Sequence, residues 1–214
     1  MAREGLAITL SFLVPALACA VLTYLYGTDL WKILLVVTAG LSLFSAYFYR
    51  DPDREVPLDP AKIVSPADGR IVAIQPMSDY YVGNNAIRIS IFLNIFNVHI
   101  NRVPCSGSVV NSQYRPGKFL PAFDPRTSEE NEQTIIDIQN MRFKLRVKQI
   151  SGMLARRIVN NLRPGDSVVI GRRFGLIKFG SRVDVIVPTE MALNVQLKQK
   201  VVGGKTILGE WREA

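Results

Sequence analysis

The sequence predicts a mainly β domain, its strands closely spaced as in a sandwich or barrel, preceded by an N-terminal transmembrane helical hairpin. Three observations carry this reading. Two long uncharged apolar runs fill residues 1–50, period-2 alternation recurs through residues 51–214, and turn signals punctuate that second part at short intervals.

The first run has no charge between Glu4 and Asp29, 24 residues rich in Leu, Ala, Val and Phe. A second, of 17 residues, lies between Lys32 and Arg50. A membrane-spanning helix needs roughly 20 apolar residues, with about 17 the lower limit, so the first run spans comfortably and the second only just. Trp31, Tyr47 and Tyr49 sit at the ends of the second run, where aromatic rings anchor a helix at headgroup depth. The short connection, Gly27 to Trp31, makes the pair a hairpin. A cleaved leader ending near Ala16-Leu17-Ala18-Cys19 fits less well, because a second apolar run follows at once and Arg3 adjoins Glu4. Core helices of a soluble protein rarely run uncharged for such lengths. One Lys lies in the turn, whereas Arg3 precedes the hairpin and Arg50, Arg54, Lys62 and Arg70 follow it. The positive-inside tendency then puts both ends, and the domain that follows, on the cytoplasmic side of the cell membrane. In that compartment Cys105 stays reduced and Cys19 lies in lipid, so no disulfide is expected.

Strand texture begins after Arg50-Asp51-Pro52-Asp53-Arg54. Ile87, Ile89, Ile91 and Leu93 alternate with Arg88, Ser90 and Phe92, which predicts a strand with one buried face. Phe143, Leu145 and Val147 alternate with Arg142, Lys144, Arg146 and Lys148, a basic row read as a solvated strand face. Val183, Val185 and Val187 form a third run, stopped by Pro188. Turns are marked at Pro66-Ala67-Asp68-Gly69, Pro116-Gly117, Pro164-Gly165-Asp166 and Gly203-Gly204. A helix is expected over Thr127 to Thr134, with Thr127 or Ser128 as N-cap before Glu129 and Glu130. The stretch from Gly152 to Asn160 is read as a strand from its β surroundings.

Composition narrows the function. The chain of 214 residues has 26 Lys+Arg against 18 Asp+Glu, a net charge of +8, with one His and two Cys. The usual zinc ligand sets and a disulfide framework are excluded, and no metal is expected. An anionic partner is expected, but nucleic acid is not supported: there is no helix-turn-helix pattern, zinc-finger spacing or single-strand-reader motif. Gly203-Gly204-Lys205-Thr206 has the ending of a phosphate loop without its first glycine. A basic domain tethered to a bilayer is placed to meet anionic lipid.

Three residues could carry chemistry. His99, in Phe96-Asn97-Val98-His99-Ile100-Asn101-Arg102, is the one side chain that titrates near neutrality without perturbation. Asp68 lies in a turn, where aspartates ordinarily cap their own backbone. Ser181 follows Gly180 in what reads as a small exposed pair between two strands, ordinarily a bulge or tight turn. Together, Asp, His and Ser are the parts of an activated nucleophile. Ser181 is not in a Gly-x-Ser-x-Gly elbow, which argues against an ordinary hydrolase.

An ordered set of motifs now bears on the identity. They are Phe48-Tyr49-Arg50-Asp51-Pro52, Ser65-Pro66-Ala67-Asp68-Gly69, Phe96 to Arg102, Gly117-Lys118-Phe119, Glu130-Asn131-Glu132, Gln149-Ile150-Ser151-Gly152, Ala155-Arg156-Arg157-Ile158 and Gly171 to Val185. In this order the chain resembles the short, membrane-anchored, pyruvoyl-dependent branch of the phosphatidylserine decarboxylase family, from about residue 48 to 188. Many members carry Gly-Ser-Thr or Gly-Ser-Ser at the processing site; Gly180-Ser181-Arg182 is the form of the short subgroup.

The resemblance implies a barrel-sandwich-like catalytic domain over residues 51–214 behind a membrane-anchoring hairpin over residues 1–50. It implies self-cleavage between Gly180 and Ser181 into chains 1–180 and 181–214 that remain together as a heterodimer, a homo-oligomer being compatible with this. Ser181 would attack the Gly180 carbonyl, and elimination and loss of ammonia would leave a covalent pyruvoyl group. That group would form a Schiff base with the serine headgroup of a phospholipid in the bilayer and act as electron sink for decarboxylation. His99 would be general base in cleavage and proton donor after loss of CO2, with Asp68 orienting it. Arg102, Lys118, Arg156 and Arg157 are the candidate headgroup contacts. Two other readings of the residues stay open: a membrane-tethered barrel-sandwich binding module, and a Ser-His-Asp hydrolase.

Overall fold

The computed structural model describes residues 3–121, 124, 126–153, 157–178 and 181–212. The chain divides into two compact units, Met1–Asp53 and Arg54–Ala214.

The first unit is the helical hairpin. Helix α1 runs Arg3–Tyr26 and α2 runs Asp29–Phe48, so the connection is only Gly27 and Thr28. Gly27 takes φ +64°, the left-handed conformation that glycine adopts without a Cβ penalty at a helix end. The second span is longer than its uncharged run suggests, because the helix includes Lys32, paired with Asp29 at 3.0 Å. At 20 residues it is about 30 Å long, enough to cross a hydrocarbon core. Small and hydroxylated residues knit the pair: Thr9 Oγ1 and Ser45 Oγ are 3.0 Å apart, and Ser42 Oγ donates to the Thr9 carbonyl at 3.3 Å. Most of the remaining surface is exposed Leu, Val and Phe, among them Leu10, Leu17, Val21, Val36 and Leu43. Helices of a soluble core would bury these side chains; this pair is compatible with membrane association.

The second unit is built almost wholly of strands. They are β1 (Lys62–Val64), β2 (Gly69–Asp79), β3 (Gly83–Leu93), β4 (Ile100–Arg102), β5 (Gly107–Arg115), β6 (Gln133–Gln139) and β7 (Lys144–Ile150). After these come β8 (Ile158–Asn160), β9 (Ser167–Val168), β10 (Arg173–Ile177), β11 (Ser181–Pro188), β12 (Met191–Leu193), β13 (Lys200–Val201) and β14 (Ile207–Trp211). Eight form one curled half-barrel sheet in the order β13-β2-β3-β11-β7-β6-β5-β9, and two three-stranded sheets, β1-β14-β12 and β4-β10-β8, complete the unit. The mainly β expectation is met.

The alternating runs are the centre of the large sheet. β11 pairs antiparallel with β3 (Val183 opposite Ile91, Val185 opposite Ile89) and with β7 (Val185 opposite Val147). Directly opposed residues share a face, so Ile89, Ile91, Val183, Val185 and Val147 form one apolar layer and are wholly buried. Burying each such side chain contributes about 1.5–3 kcal/mol.

Two expectations are corrected. The basic row of β7 is not a solvated face: Arg146 and Lys148 are buried, because every residue of β11 beside them is covered on both faces. Arg146 holds Asp79 and Asp137 at 2.6 Å each and lies 3.9 Å from the Tyr80 ring, which compensates its desolvation. The helix expected over Thr127 to Thr134 is the four-residue α3, Thr127–Glu130. Neither Thr127 nor Ser128 caps it; Ser128 Oγ instead donates to Asp184 of β11 at 2.6 Å, and the chain re-enters the sheet at Gln133. Between Gly152 and Asn160 a strand forms at Ile158, while residues 154–156 lie outside the described residues.

Candidate active site

Ser181 opens β11, opposite Leu93 of β3, on the same face as Val183 and Val185. It is wholly buried, which corrects the reading of an exposed Gly-Ser pair, and its Oγ has no hydrogen-bond partner. A stranded buried hydroxyl costs about 1–3 kcal/mol. Gly180 lies outside the described residues.

His99 precedes β4 and is 2% exposed. Its Nδ1 is 2.9 Å from the Asn97 carbonyl oxygen. A carbonyl only accepts, so Nδ1 carries the hydrogen, and in the neutral ring Nε2 is then the basic nitrogen. Asn97 is fixed in turn, its Oδ1 accepting from the Asn94 amide at 2.9 Å.

Asp68 occupies the turn between β1 and β2. Its carboxylate accepts two bonds from Arg54, Nη2 to Oδ2 at 2.9 Å, and one from the Gly203 amide at 2.8 Å. The bond that orients His99 at Nδ1 therefore comes from Asn97, while Asp68 is committed to Arg54. The structure does bring the Asp68 turn and the His99 segment together through the backbone. The Arg102 amide donates to the Pro66 carbonyl at 2.8 Å, and the Gly204 amide to the Ser65 carbonyl at 2.7 Å. Two of the predicted turns, 66–69 and 203–204, thus clasp the start of β2 and the strand that follows His99.

The other candidate cations have separate engagements. Arg102 is buried, with Nη1 donating to the Gly171 carbonyl at 3.1 Å. Lys118 is exposed and paired with Glu130 at 2.9 Å. Arg157 is exposed, and Arg156 lies outside the described residues. No group of three or more metal-ligating side chains occurs among the described residues.

Sequence reading missed four buried polar residues around Ser181. Arg182 and Asp184 form an ion pair at 2.7 Å within β11, and Arg182 also donates to Ser90 Oγ at 2.6 Å. Gln149, opposite Val183 and so on the Ser181 face, reaches across to β4, where its Nε2 donates to Asn101 Oδ1 at 2.8 Å. Both are wholly buried, and Gln149 Oε1 and Asn101 Nδ2 are left without hydrogen-bond partners. Gly175 makes this crossing fit: a Cβ there would stand 2.1 Å from the Val159 carbonyl oxygen and 3.1 Å from Gln149 Nε2. Two adjacent signals were available, since Asn101 and Gln149 both fall inside recognised motifs.

Comparison with known proteins gives the family. Residues 41–209 match the family model described as phosphatidylserine decarboxylase. Curated relatives include the phosphatidylserine decarboxylase proenzyme of Chlorobium phaeobacteroides, 45% identical over 204 residues that cover 94% of this chain and 96% of that one. Those of Desulfotalea psychrophila and Geobacter metallireducens are 42% and 41% identical, covering 98% and 92% of this chain and 96% and 92% of their own. These relatives are enzymes of the carboxy-lyase class. The chain belongs to the phosphatidylserine decarboxylase family.

Proposed function

We propose that this chain is a self-processing lyase that removes the carboxylate from the serine headgroup of phosphatidylserine, yielding phosphatidylethanolamine, at the cytoplasmic face of the cell membrane. The observation that carries it is the Ser181 hydroxyl, buried and unpartnered at the first position of a central strand. The site is shielded from bulk solvent, so a nucleophile is not quenched and a carbanion is not prematurely protonated, while a single water can still be consumed in processing.

In processing, His99 Nε2 takes the Ser181 Oγ proton as Oγ attacks the preceding carbonyl, and the amide becomes an ester. His99 passes that proton to the departing Ser181 nitrogen; a base then removes the Ser181 Cα proton as the Cβ–Oγ bond breaks, forming the Cα=Cβ double bond and releasing chain 1–180 as a carboxylate. The dehydroalanine left on chain 181–214 hydrolyses with loss of ammonia. A serine at this place thus fits a covalent pyruvoyl group, whose carbonyl supplies the electron sink that α-decarboxylation needs. His99 returns a proton to the product carbon. Asp68 acts at one remove, its Arg54-clamped turn holding the strand after His99. Chain 181–214 supplies β11, hydrogen-bonded between β3 and β7, and also β13 and β14, which pair with β2 and β1. Scission at residue 180 therefore leaves the two chains interleaved.

Intact-mass measurement tests the proposal. Two chains are expected, the smaller of 34 residues, lacking a free amine and reactive toward hydrazide. An unsplit chain labelled by a fluorophosphonate would instead mark a serine hydrolase, and an unsplit, unlabelled one a binding module.

A further inference from the structure

A cleft of about 460 Å3 opens beside the end of the β2–β3 ladder, lined by Asp68, Arg70, Phe92, Asn94, Asn97 and Lys200 among others. Arg70 of β2 and Lys200 of β13 are direct partners across an antiparallel pair, so both side chains leave the same face. Like charges placed directly opposite destabilise such a pair unless a counter-charge sits with them. Both are exposed, and neither meets a carboxylate among the described residues. Asp68, the acidic residue of the lining, is already neutralised by Arg54.

The rest of the lining adds to this. Asn94 and Asn97 spend their side-chain oxygens on the Phe96 and Asn94 amides, at 2.9 Å each, which holds the loop still. Phe96, at the lip, is 60% exposed. An exposed ring beside a cationic cleft suits the interface of a bilayer, where aromatic side chains settle among headgroups. The cleft meets the chemistry through the loop after β3, where the Asn97 carbonyl holds His99; Arg70, Phe92 and Lys200 share the sheet face opposite to that of Ser181, so a headgroup seated there would reach the serine around the end of the ladder.

We propose that this cleft binds the phosphodiester of the phospholipid headgroup between Arg70 and Lys200. The proposal rests on the decarboxylase reading and adds to it the site that seats the substrate's anion. Arg and Lys together offer charge-assisted bonds to phosphate oxygens, and the bound anion supplies the missing counter-charge.

The test uses the full-length processed enzyme in neutral detergent with short-chain phosphatidylserine. Three proteins are compared: wild type, Arg70→Gln/Lys200→Gln, and a control of equal charge change, Arg115→Gln/Lys144→Gln. The expected result is a KM raised about tenfold or more in the first double variant, the loss that follows from removing charge-assisted bonds. Its kcat stays within about twofold of wild type, and the control is unchanged. Glycerophosphocholine, a phosphodiester without the serine, competes in wild type and not in the double variant. An unchanged KM, or an equal rise in the control, overturns the proposal. So does inhibition of wild type by inorganic phosphate as strong as that by glycerophosphocholine, which would mark a free-phosphate site. Should the wild type release no CO2 from phosphatidylserine, the decarboxylase reading fails. Calorimetric binding of glycerophosphocholine to wild type and double variant then decides the cleft by itself: binding lost only in the double variant supports it, and equal binding overturns it.

Discussion

Arg54 and Asp68 form a two-pronged ion pair in which Arg54 also donates to the Gly203 carbonyl, so one guanidinium ties the Asp68 turn to the turn at 203–204. Both side chains are largely buried, 9% and 15% exposed. The carboxylate read from sequence as a partner for His99 is thereby the fastener of the loops around it. Arg54→Ala is expected to lower stability by about 1.5–3 kcal/mol, the worth of hydrogen bonds to a charged group, and to slow self-cleavage. Arg54→Lys restores the charge without the fork and should fall between. Denaturant midpoints and the time course of chain scission measure both.

Ser181→Ala is expected to give a folded, single chain of 214 residues. Because the hydroxyl it removes has no partner, the variant should be no less stable than the uncleaved precursor. Two chains on a denaturing gel, or a thermal midpoint lowered by several degrees, would contradict this.

The Asn101–Gln149 bridge predicts a coupled pair. Asn101→Leu and Gln149→Leu should each cost about 1–3 kcal/mol, since each strands the other's buried carboxamide. The double variant removes both and should cost less than their sum. Additive losses in a double-mutant cycle would show that the bridge contributes nothing as a pair.

Arg146→Met leaves Asp79 and Asp137 buried without their cation and is expected to destabilise by about 3–5 kcal/mol. Replacing all three by apolar or neutral residues of similar volume should recover much of that loss. Urea unfolding of wild type, the single variant and the triple variant would decide it.

Burial pushes the Cys105 thiol up to about 12 from a usual 9.0. In the folded protein it stays protonated, while the unfolded chain releases this proton above pH 9. The unfolded state then binds fewer protons, so this residue's contribution to stability falls as pH rises from about 9 toward 12. In a Cys19→Ser background, iodoacetamide at pH 8 should label the thiol only after denaturation. Rapid labelling of native protein would refute the burial.

How far sequence reading reached depended on the range of the interaction involved. The hairpin and the runs at 87–93 and 183–187 were legible because a strand or a span is set by neighbours a few positions apart. His99, Asp68 and Ser181 stood out as a chemical set and as parts of ordered motifs. Arg146 and Lys148 were misread as solvated because alternation reports which residues share a face, and not whether a further layer covers that face. The helix at Thr127 stopped after one turn because Ser128 is spent on Asp184, 56 residues away.

From its sequence alone, the protein is a β domain behind an apolar hairpin, with a histidine, an aspartate and a Gly-Ser bond in the order of one enzyme family. Only the tertiary structure decided that Arg54 holds Asp68 and that Asn101 and Gln149 meet beside a buried Ser181. The physical reason is that local patterns repeat along the chain, whereas a hydrogen bond between residues 101 and 149 exists only once two separate sheets have packed.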